Sequence, residues 1–241
     1  LSLFYQSQAE SPSVVATPAG EPPDLAAAAL IPADGMLLLA AHIGRSHTLT
    51  QWLDPSIVDE ADPDHRDAEL NLYDPQNPHQ PPYDVAFIEQ YRAAQRARSQ
   101  RISAWVLDRL QAFKAAGEPL REQGFVVHGT MADPKWLDPT IDPNGRQPRW
   151  CFLGDPEVVN MSPIGLARFC TLRSWLSQWS DEHSNADGMR CAPKVTVPAL
   201  VIGQGADDAC TPGDTEALCD ALGSYDKTRT TIADANHYYF G

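Results

Sequence analysis

The chain has 241 residues, of which 43% are hydrophobic and 21% charged, a composition typical of a globular protein with a substantial core. Its formal net charge of −14 argues against nucleic acid and anionic membrane surfaces as partners, because their phosphates would be repelled. No apolar run approaches the roughly 20 residues that a membrane-spanning helix needs, so no membrane span is predicted. A neutral or cationic small molecule is the class of partner that this charge favours.

Cysteine usage and the first residue give two further expectations. The five cysteines are odd in number and form no Cys-x-x-Cys pair, which favours reduced packing residues and leaves one disulfide in an exported protein as the alternative. The sequence begins with Leu1 rather than Met and shows no signal-peptide pattern. We therefore expect a piece of a longer polypeptide. No pattern identifies its cellular compartment, although the cytoplasm is slightly favoured.

Two elements are predicted in the first part of the chain. Apolar residues at helical spacing indicate a helix over residues 1–10. The apolar run at 36–41 shows no alternation, which is typical of a central parallel strand covered on both faces. From residue 42 to residue 83 the sequence is irregular and contains three Asp-Pro dipeptides, which favour turns.

The middle of the chain is predicted to contain two helices and a short strand. Asp84 is expected to N-cap a long helix whose apolar residues recur at intervals of three and four, and Gly117 is expected to end it. A short strand is predicted over 124–129. An apolar, aromatic helix is predicted over 164–179.

The C-terminal part shows a strand–helix–strand pattern. Strands are predicted at 199–202 and 228–233, and Thr211 is the expected N-cap of the helix between them, with Pro212 at its first position. This order implies a parallel sheet with right-handed crossovers. Three strands interrupted by a long insertion would not form a covered sheet alone. We therefore expect the rest of the sheet to come from outside these residues.

Three residues follow the ends of these last two strands and point to proton-transfer chemistry. Asp207, Asp208 and His237 are expected at the carboxyl edge of the sheet, where functional side chains of parallel sheets gather. A carboxylate bonded to imidazole Nδ1–H fixes its tautomer and stabilises the imidazolium that forms when the histidine accepts a proton. Because Thr211 is expected to supply the helix cap, at least one aspartate is available for this role. The distance from the strand end favours Asp207 as the acid, and Asp208 is the alternative.

The same residues resemble a known family. Residues 197–208 (VPALVIGQGADD), the Thr-Pro at 211–212 and the Ala-Asn-His at 235–237 are similar to the acid turn and the histidine loop of the α/β-hydrolase fold family. The order of acid and then base also matches that family, in which a nucleophile precedes both. The resemblance extends over the whole chain, with an opening helix like the one behind the nucleophile and a large insertion where the family has its lid.

This resemblance implies a fold and a domain organisation. It implies an α/β protein with a partial α/β-hydrolase fold, in which residues 1–41 and 195–241 belong to the core. Residues 42–194 would form a large, mostly helical lid or insertion. The family's Gly-x-Ser-x-Gly nucleophile turn is absent, and the resemblance implies that it lies just before Leu1. Ser2 is the only serine near that place, and it lacks the flanking glycines, so we do not expect it to be the nucleophile.

The other candidate residues are weaker. His42 follows a predicted strand end and is a candidate for lining the substrate pocket, although a loop histidine without a catalytic role is the more ordinary interpretation. The histidines at 42, 47, 65 and 79 lie among acidic residues but show no tight metal-ligand spacing, so no metal site is predicted. Four arginines between residues 92 and 101 are interpreted as a solvated or salt-bridged face of the long helix.

The resemblance therefore implies a hydrolase that acts on carboxylic esters or related acyl substrates. A serine outside this sequence would attack, His237 would act as base and then acid, and Asp207 would orient His237. No cofactor is implied, the expected partner is a small-molecule ester, and the oligomeric state is not indicated. Two alternatives stay open: a catalytically inactive binding or regulatory protein of this fold, and a hydrolase with an Asp nucleophile that opens epoxides or removes halide. The 241 residues alone are expected to be inactive and poorly folded.

Overall fold

The computed structural model describes residues 1–240, which divide into two compact units. Unit 1 consists of residues 1–48, residues 142–147 and the C-terminal part from Asn185; unit 2 consists of residues 49–141 and 148–184. The strands are β1 (Met36–Leu39), β2 (Gly124–Val126), β3 (Phe169–Thr171), β4 (Ala199–Gln204) and β5 (Lys227–Ile232). The helices are α1 (Ser2–Glu10), α2 (Arg45–Trp52), α3 (Val85–Ala115), α4 (Pro134–Leu137), α5 (Pro156–Met161), α6 (Leu172–Ser174), α7 (Gly188–Cys191) and α8 (Pro212–Ala221). Among residues 1–240, none of the helices has both the length and the apolar character required to cross a bilayer.

Unit 1 contains a three-stranded parallel sheet in the order β1-β4-β5. The expected parallel sheet is therefore confirmed, although β1 ends two residues earlier than predicted and β4 ends two residues later. Helix α8 connects β4 to β5, as a parallel crossover requires. All three strands run in the same direction, so their carboxyl ends meet at one edge of the sheet.

The two faces of this sheet differ in burial. On one face Leu38 and Val201 are buried in a cluster with Leu3 and Leu218. On the other face Leu37 is 60% exposed and Leu200, its partner in the register, is 37% exposed. A continuous apolar run is typical of a strand covered on both faces, so within the described residues β1 has only one of the two covers that its sequence predicts.

The loop before α8 corrects one sequence expectation. Thr211 occupies the N-cap position, as predicted, and Pro212 begins the helix. The Thr211 side chain, however, makes no capping hydrogen bond to the backbone; its Oγ1 donates instead to Asp214 Oδ2 at 3.3 Å. Thr211 therefore lies at the predicted N-cap position, but its side chain does not make the capping hydrogen bond that was expected of it.

Unit 2 is built around α3, whose start was predicted correctly. The Asp84 side chain accepts a hydrogen bond from the Phe87 amide at 2.7 Å, as an N-cap does.

The arginine face of α3 is salt-bridged rather than solvated at its centre. Arg98 is buried, pairs with Glu60 at 2.7 Å and donates to the Asp54 carbonyl. A buried charge held in this way needs such partners to offset the loss of hydration.

The helix predicted over 164–179 is wrong in its first half. Residues 169–171 form β3, which pairs antiparallel with β2, and only the last part is helical, as α6 followed by a π-helical turn at 175–179. Thr171 explains the break, because its side chain accepts a hydrogen bond from the Ser174 amide and so begins a new helix there. The assignment of this region as a lid stays a prediction.

All five cysteines are buried and carry no disulfide.

Candidate acid–base site

The site lies at the carboxyl edge of the unit 1 sheet, where the loops after β4 and β5 run side by side. The Gly205 amide donates to the Ile232 carbonyl at 2.9 Å, and the Ala206 amide donates to the Ala235 carbonyl at 2.9 Å. These two backbone bonds continue the pairing of the strands beyond their ends. They bring the loop that carries Asp207 beside the loop that carries His237.

Asp207 and His237 are in direct contact. His237 Nδ1 lies 3.1 Å from both carboxylate oxygens of Asp207, within hydrogen-bond distance. Asp207 is fully buried, whereas the His237 side chain is 24% exposed. The carboxylate therefore holds one nitrogen of a ring that is still reached by solvent, which is the arrangement expected of a proton-transfer pair.

Asp207 is fixed in place by the backbone around it. Its Oδ1 accepts hydrogen bonds from the amides of Ala209 at 2.8 Å and Cys210 at 2.9 Å, so the side chain also forms the turn in which it sits. The side-chain amide of Asn144 donates to the Asp207 carbonyl at 2.7 Å. Both the carboxylate and its own peptide unit are thus held before any substrate binds.

The protonation of His237 reflects this contact. Burial of the ring lowers its pKa, but the hydrogen bond that the ring donates to Asp207 and the negative charges of Asp207 and Asp208 outweigh burial, so that the pKa is raised above its ordinary value. The direction is that of a histidine whose imidazolium form is stabilised by a carboxylate. Such stabilisation is what a general base needs in the transition state of proton abstraction.

Asp208 has a different environment. It is buried, and its pKa is raised to about 6, first by burial and then by the negative charge of Asp207, against the opposing charges of His237 and Arg146. The carboxylate within hydrogen-bond distance of His237 Nδ1 belongs to Asp207. Of the two aspartates that the sequence left open, the structure therefore brings Asp207 to the histidine.

His42 lies beyond the end of β1, on the same edge of the sheet. Its pKa is lowered to about 4, first by burial and then by the positive charges of the Leu1 amino group, Arg45 and His237. Its Nδ1 is buried and makes no hydrogen bond within residues 1–240. The negative charge of Asp214 opposes these effects on the pKa and is outweighed, so His42 is a neutral imidazole at ordinary pH.

Three residues of this site had not been singled out from the sequence. Cys210 lies in the Asp207 turn, and its thiol donates to the Ala40 carbonyl at 3.2 Å. Tyr239 has a positive φ of 65°. Its pKa is raised by burial, and the charges of Asp207 and Cys210 also raise it. Asn144 reaches the site from a short segment far away in sequence. The position of Cys210 three residues after Asp207 is a signal that could have identified it, whereas no local signal identifies Asn144.

One set of side chains has the composition of a metal site. A carboxylate oxygen of Asp207, the Cys210 sulfur and a ring nitrogen of His237 all lie within 4.8 Å of one another. Oxygen, sulfur and nitrogen donors in this number suit zinc, which often binds three protein ligands and one water. No metal site was expected from the sequence, where the histidines at 42, 47, 65 and 79 lack tight metal-ligand spacing and Cys210 is interpreted as a packing residue.

Unit 2 has a cavity of its own, which contains none of the predicted site residues. Its volume is about 510 Å³, and its lining includes Trp105, Phe125, Arg101 and His128. Cavities of this size are common in ligand-binding proteins. It carries no acid–base pair comparable to Asp207 and His237.

Comparison with protein-family models, with curated proteins and with solved structures finds no match to this chain. The family resemblance therefore depends on the motif residues alone. The functional proposal therefore depends on the contact between Asp207 and His237 at the sheet edge.

Proposed function

We propose that this chain carries the acid–base pair of a hydrolase that acts on carboxylic esters or related acyl compounds. The observation that supports the proposal is the contact of 3.1 Å between the buried Asp207 carboxylate and His237 Nδ1 at the carboxyl edge of a parallel sheet. The nucleophile in this proposal is a serine outside the sequence, positioned near His237.

The proposed reaction has two halves, acylation and deacylation, and each contains two proton transfers through His237. His237 Nε2 takes the proton of the serine hydroxyl while the serine oxygen bonds to the acyl carbon, and the Asp207 carboxylate stabilises the imidazolium. The imidazolium then returns that proton to the departing alcohol as the ester C–O bond breaks, which leaves an acyl-enzyme. A water molecule then gives a proton to Nε2 while its oxygen bonds to the acyl carbon. The bond between the acyl carbon and the serine oxygen breaks, the imidazolium returns the proton to that oxygen, and the carboxylic acid is released.

The charges around His42 support a nucleophile near the start of α1. The Leu1 nitrogen, which would be a peptide amide in a longer chain, lies close enough to His42 to act on its pKa as an amino group, and His237 also lies close enough to lower that pKa. The start of α1 and the catalytic histidine candidate are thus both within electrostatic reach of one ring. A residue directly preceding α1, as the family resemblance implies for the nucleophile, would be placed on the His237 side of the sheet.

The uncovered side of β1 supports the same placement. Leu37 and Leu39 are 60% and 45% exposed, and the outer edge of β1 pairs with no strand within residues 1–240. A cleft of about 430 Å³ runs beside this edge, lined by Leu1, Tyr5 and Leu37 among others. A further parallel strand ending just before α1 would pair with β1, and packing on the open face would remove apolar surface from water.

Covalent labelling with a substrate test gives the decisive experiment. In the full-length protein, a fluorophosphonate should label one serine outside residues 1–241, identified by mass spectrometry of the labelled peptide. Replacement of His237 by Ala should lower the kcat for a short-chain p-nitrophenyl ester by a factor on the order of 10³ or more, because no base remains. Circular dichroism should confirm that the variant is folded.

The other outcomes separate the alternatives. A folded protein with neither labelling nor turnover favours the non-catalytic binding protein. Release of halide from a haloalkane, or opening of an epoxide, without serine labelling favours an Asp nucleophile. Undiminished ester hydrolysis by the His237→Ala variant contradicts the acid–base assignment itself.

A further inference from the structure

Cys210 gives the sheet edge a chemistry that ester hydrolysis does not use. Its backbone amide donates to Asp207 Oδ1 at 2.9 Å, which closes the turn at 207–210 and brings the thiol near the carboxylate. The sulfur, a carboxylate oxygen of Asp207 and a ring nitrogen of His237 lie within 4.8 Å of one another. Three different donor types from two loops thus converge on one point.

The spacing of these donors is close to that of a zinc site. With zinc–oxygen and zinc–nitrogen bonds of about 2.0–2.2 Å, two ligands at a tetrahedral angle are about 3.3 Å apart. The distance of 3.1 Å from His237 Nδ1 to the Asp207 oxygens is near that value. A zinc–sulfur bond of about 2.3 Å puts sulfur about 3.6 Å from the other ligands. Since the sulfur lies within 4.8 Å of them, it needs to approach by about 1.2 Å at most.

The donor set also selects the kind of cation. A thiolate is a soft ligand that favours zinc and related thiophilic ions over magnesium and calcium, which bind oxygen. Cys210 and Asp207 are buried, so a bound ion would be shielded on the protein side. The partly exposed ring of His237 leaves an approach from solvent, and a water molecule can complete the fourth position.

We propose that Asp207, Cys210 and His237 form a binding site for a thiophilic divalent cation, represented by Zn²⁺, and that its occupation inhibits the proposed hydrolase. The binding does not depend on the proposed function, but the inhibition does. On binding, the Cys210 thiol releases its proton to solvent, and the neutral imidazole moves its proton from Nδ1 to Nε2 as Nδ1 bonds the metal. An imidazole with its proton on Nε2 cannot accept the proton of a nucleophile.

Cobalt binding tests the site without reference to activity. Co²⁺ added to the metal-free, full-length protein at neutral pH should give a thiolate-to-cobalt charge-transfer band that saturates at one equivalent and disappears on addition of Zn²⁺. The Cys210→Ser variant should lose the band and bind Co²⁺ more weakly by an order of magnitude or more, since the soft ligand is gone. The Cys219→Ser variant is the matched control, because Cys219 is another buried cysteine of unit 1, and it should keep the band.

The remaining outcomes separate this proposal from the proposed function. Absence of the band in the wild type, or its persistence in a folded Cys210→Ser or Cys210→Ala variant, overturns the site. The band in a protein without esterase activity supports the cation site and counts against the hydrolase. In an active protein, Zn²⁺ should inhibit the wild type at concentrations at least tenfold lower than it inhibits Cys210→Ser, and equal sensitivity overturns the inhibition.

Discussion

Two histidines lie beyond strand ends at the same edge of the unit 1 sheet, and the charged groups around them differ. His42 follows β1, is largely buried and has no hydrogen bond at Nδ1 within the described residues. His237 follows β5 and has the Asp207 carboxylate 3.1 Å from its Nδ1. Burial acts in the same direction on both rings, but the pKa of His42 is lowered to about 4, whereas that of His237 is raised.

The two pKa shifts differ because a carboxylate lies at hydrogen-bond distance from His237, not because of a place at the strand end. At His42, burial and the nearby positive charges outweigh the charge of Asp214, keep the ring neutral and make its protonated form unfavourable. With the Asp207 carboxylate, the imidazolium of His237 is stabilised at the moment when it would form. Each variant below removes one part of this difference.

The largest effect is expected from the carboxylate itself. Asp207→Asn should lower the kcat for a p-nitrophenyl ester by about 10³- to 10⁴-fold in the full-length protein, because an amide cannot stabilise the imidazolium and can hold the ring in the wrong tautomer. The pKa of His237, followed by NMR on metal-free protein, should fall in the same variant. The matched control is Asp208→Asn, which changes the neighbouring buried carboxyl and should lower kcat less than about tenfold. Equal losses in the two variants would contradict the choice of Asp207.

The second effect concerns His42 and stability. Because the folded state holds the pKa of His42 at about 4, the unfolded chain binds a proton that the folded chain does not, as pH falls from the ordinary histidine pKa of about 6.5. The contribution of His42 to stability is therefore complete above about pH 6.5 and is lost as pH falls toward 4. Between those limits the loss is about 3 kcal/mol at most. In the full-length protein the Leu1 nitrogen is a neutral peptide amide, so burial, Arg45 and His237 lower the pKa without it and the loss is smaller.

Urea denaturation of the full-length protein measures this contribution. The free energy of unfolding of His42→Gln should decrease less than that of the wild type between about pH 7 and about pH 4, by about 1 to 3 kcal/mol. Other titrating groups cancel in this difference, since both proteins contain them. Parallel pH profiles for the two proteins would contradict the lowered pKa of His42.

Sequence patterns were sufficient to predict the parallel sheet and to bring Asp207 and His237 to the same edge of it, because both depend on local chemistry. Apolar runs and a strand–helix–strand order predict parallel strands, and residues after such strands gather at one edge. The expected cap at Thr211 does not leave Asp207 without a role in the turn. Asp207 accepts hydrogen bonds from two backbone amides and contacts His237 with the same carboxylate, so the two roles do not exclude each other.

Other features depend on contacts between distant segments, which no local pattern reveals. The β2–β3 pairing at 169–171 replaces a helix that the periodicity favoured, because backbone hydrogen bonds to a strand some 45 residues earlier outweigh weak helical preference. The support of Asp207 by Asn144 joins residues 63 positions apart. Such contacts follow from the fold as a whole.

The smallest effect is expected from Asn144, which acts on the pair only through the backbone of Asp207. Asn144→Ala removes the bond of 2.7 Å to the Asp207 carbonyl and should lower kcat by about three- to tenfold, the equivalent of one hydrogen bond of about 1 kcal/mol, with little change in KM. The matched control is Asn185→Ala, since Asn185 also donates from its side chain to a backbone carbonyl of unit 1, that of Ala16. A positioning role further requires that the NMR pKa of His237 fall in Asn144→Ala and not in Asn185→Ala. If both variants lose kcat equally while that pKa stays constant, Asn144 contributes to general stability alone, and the buried turn holds Asp207 against His237 without its help.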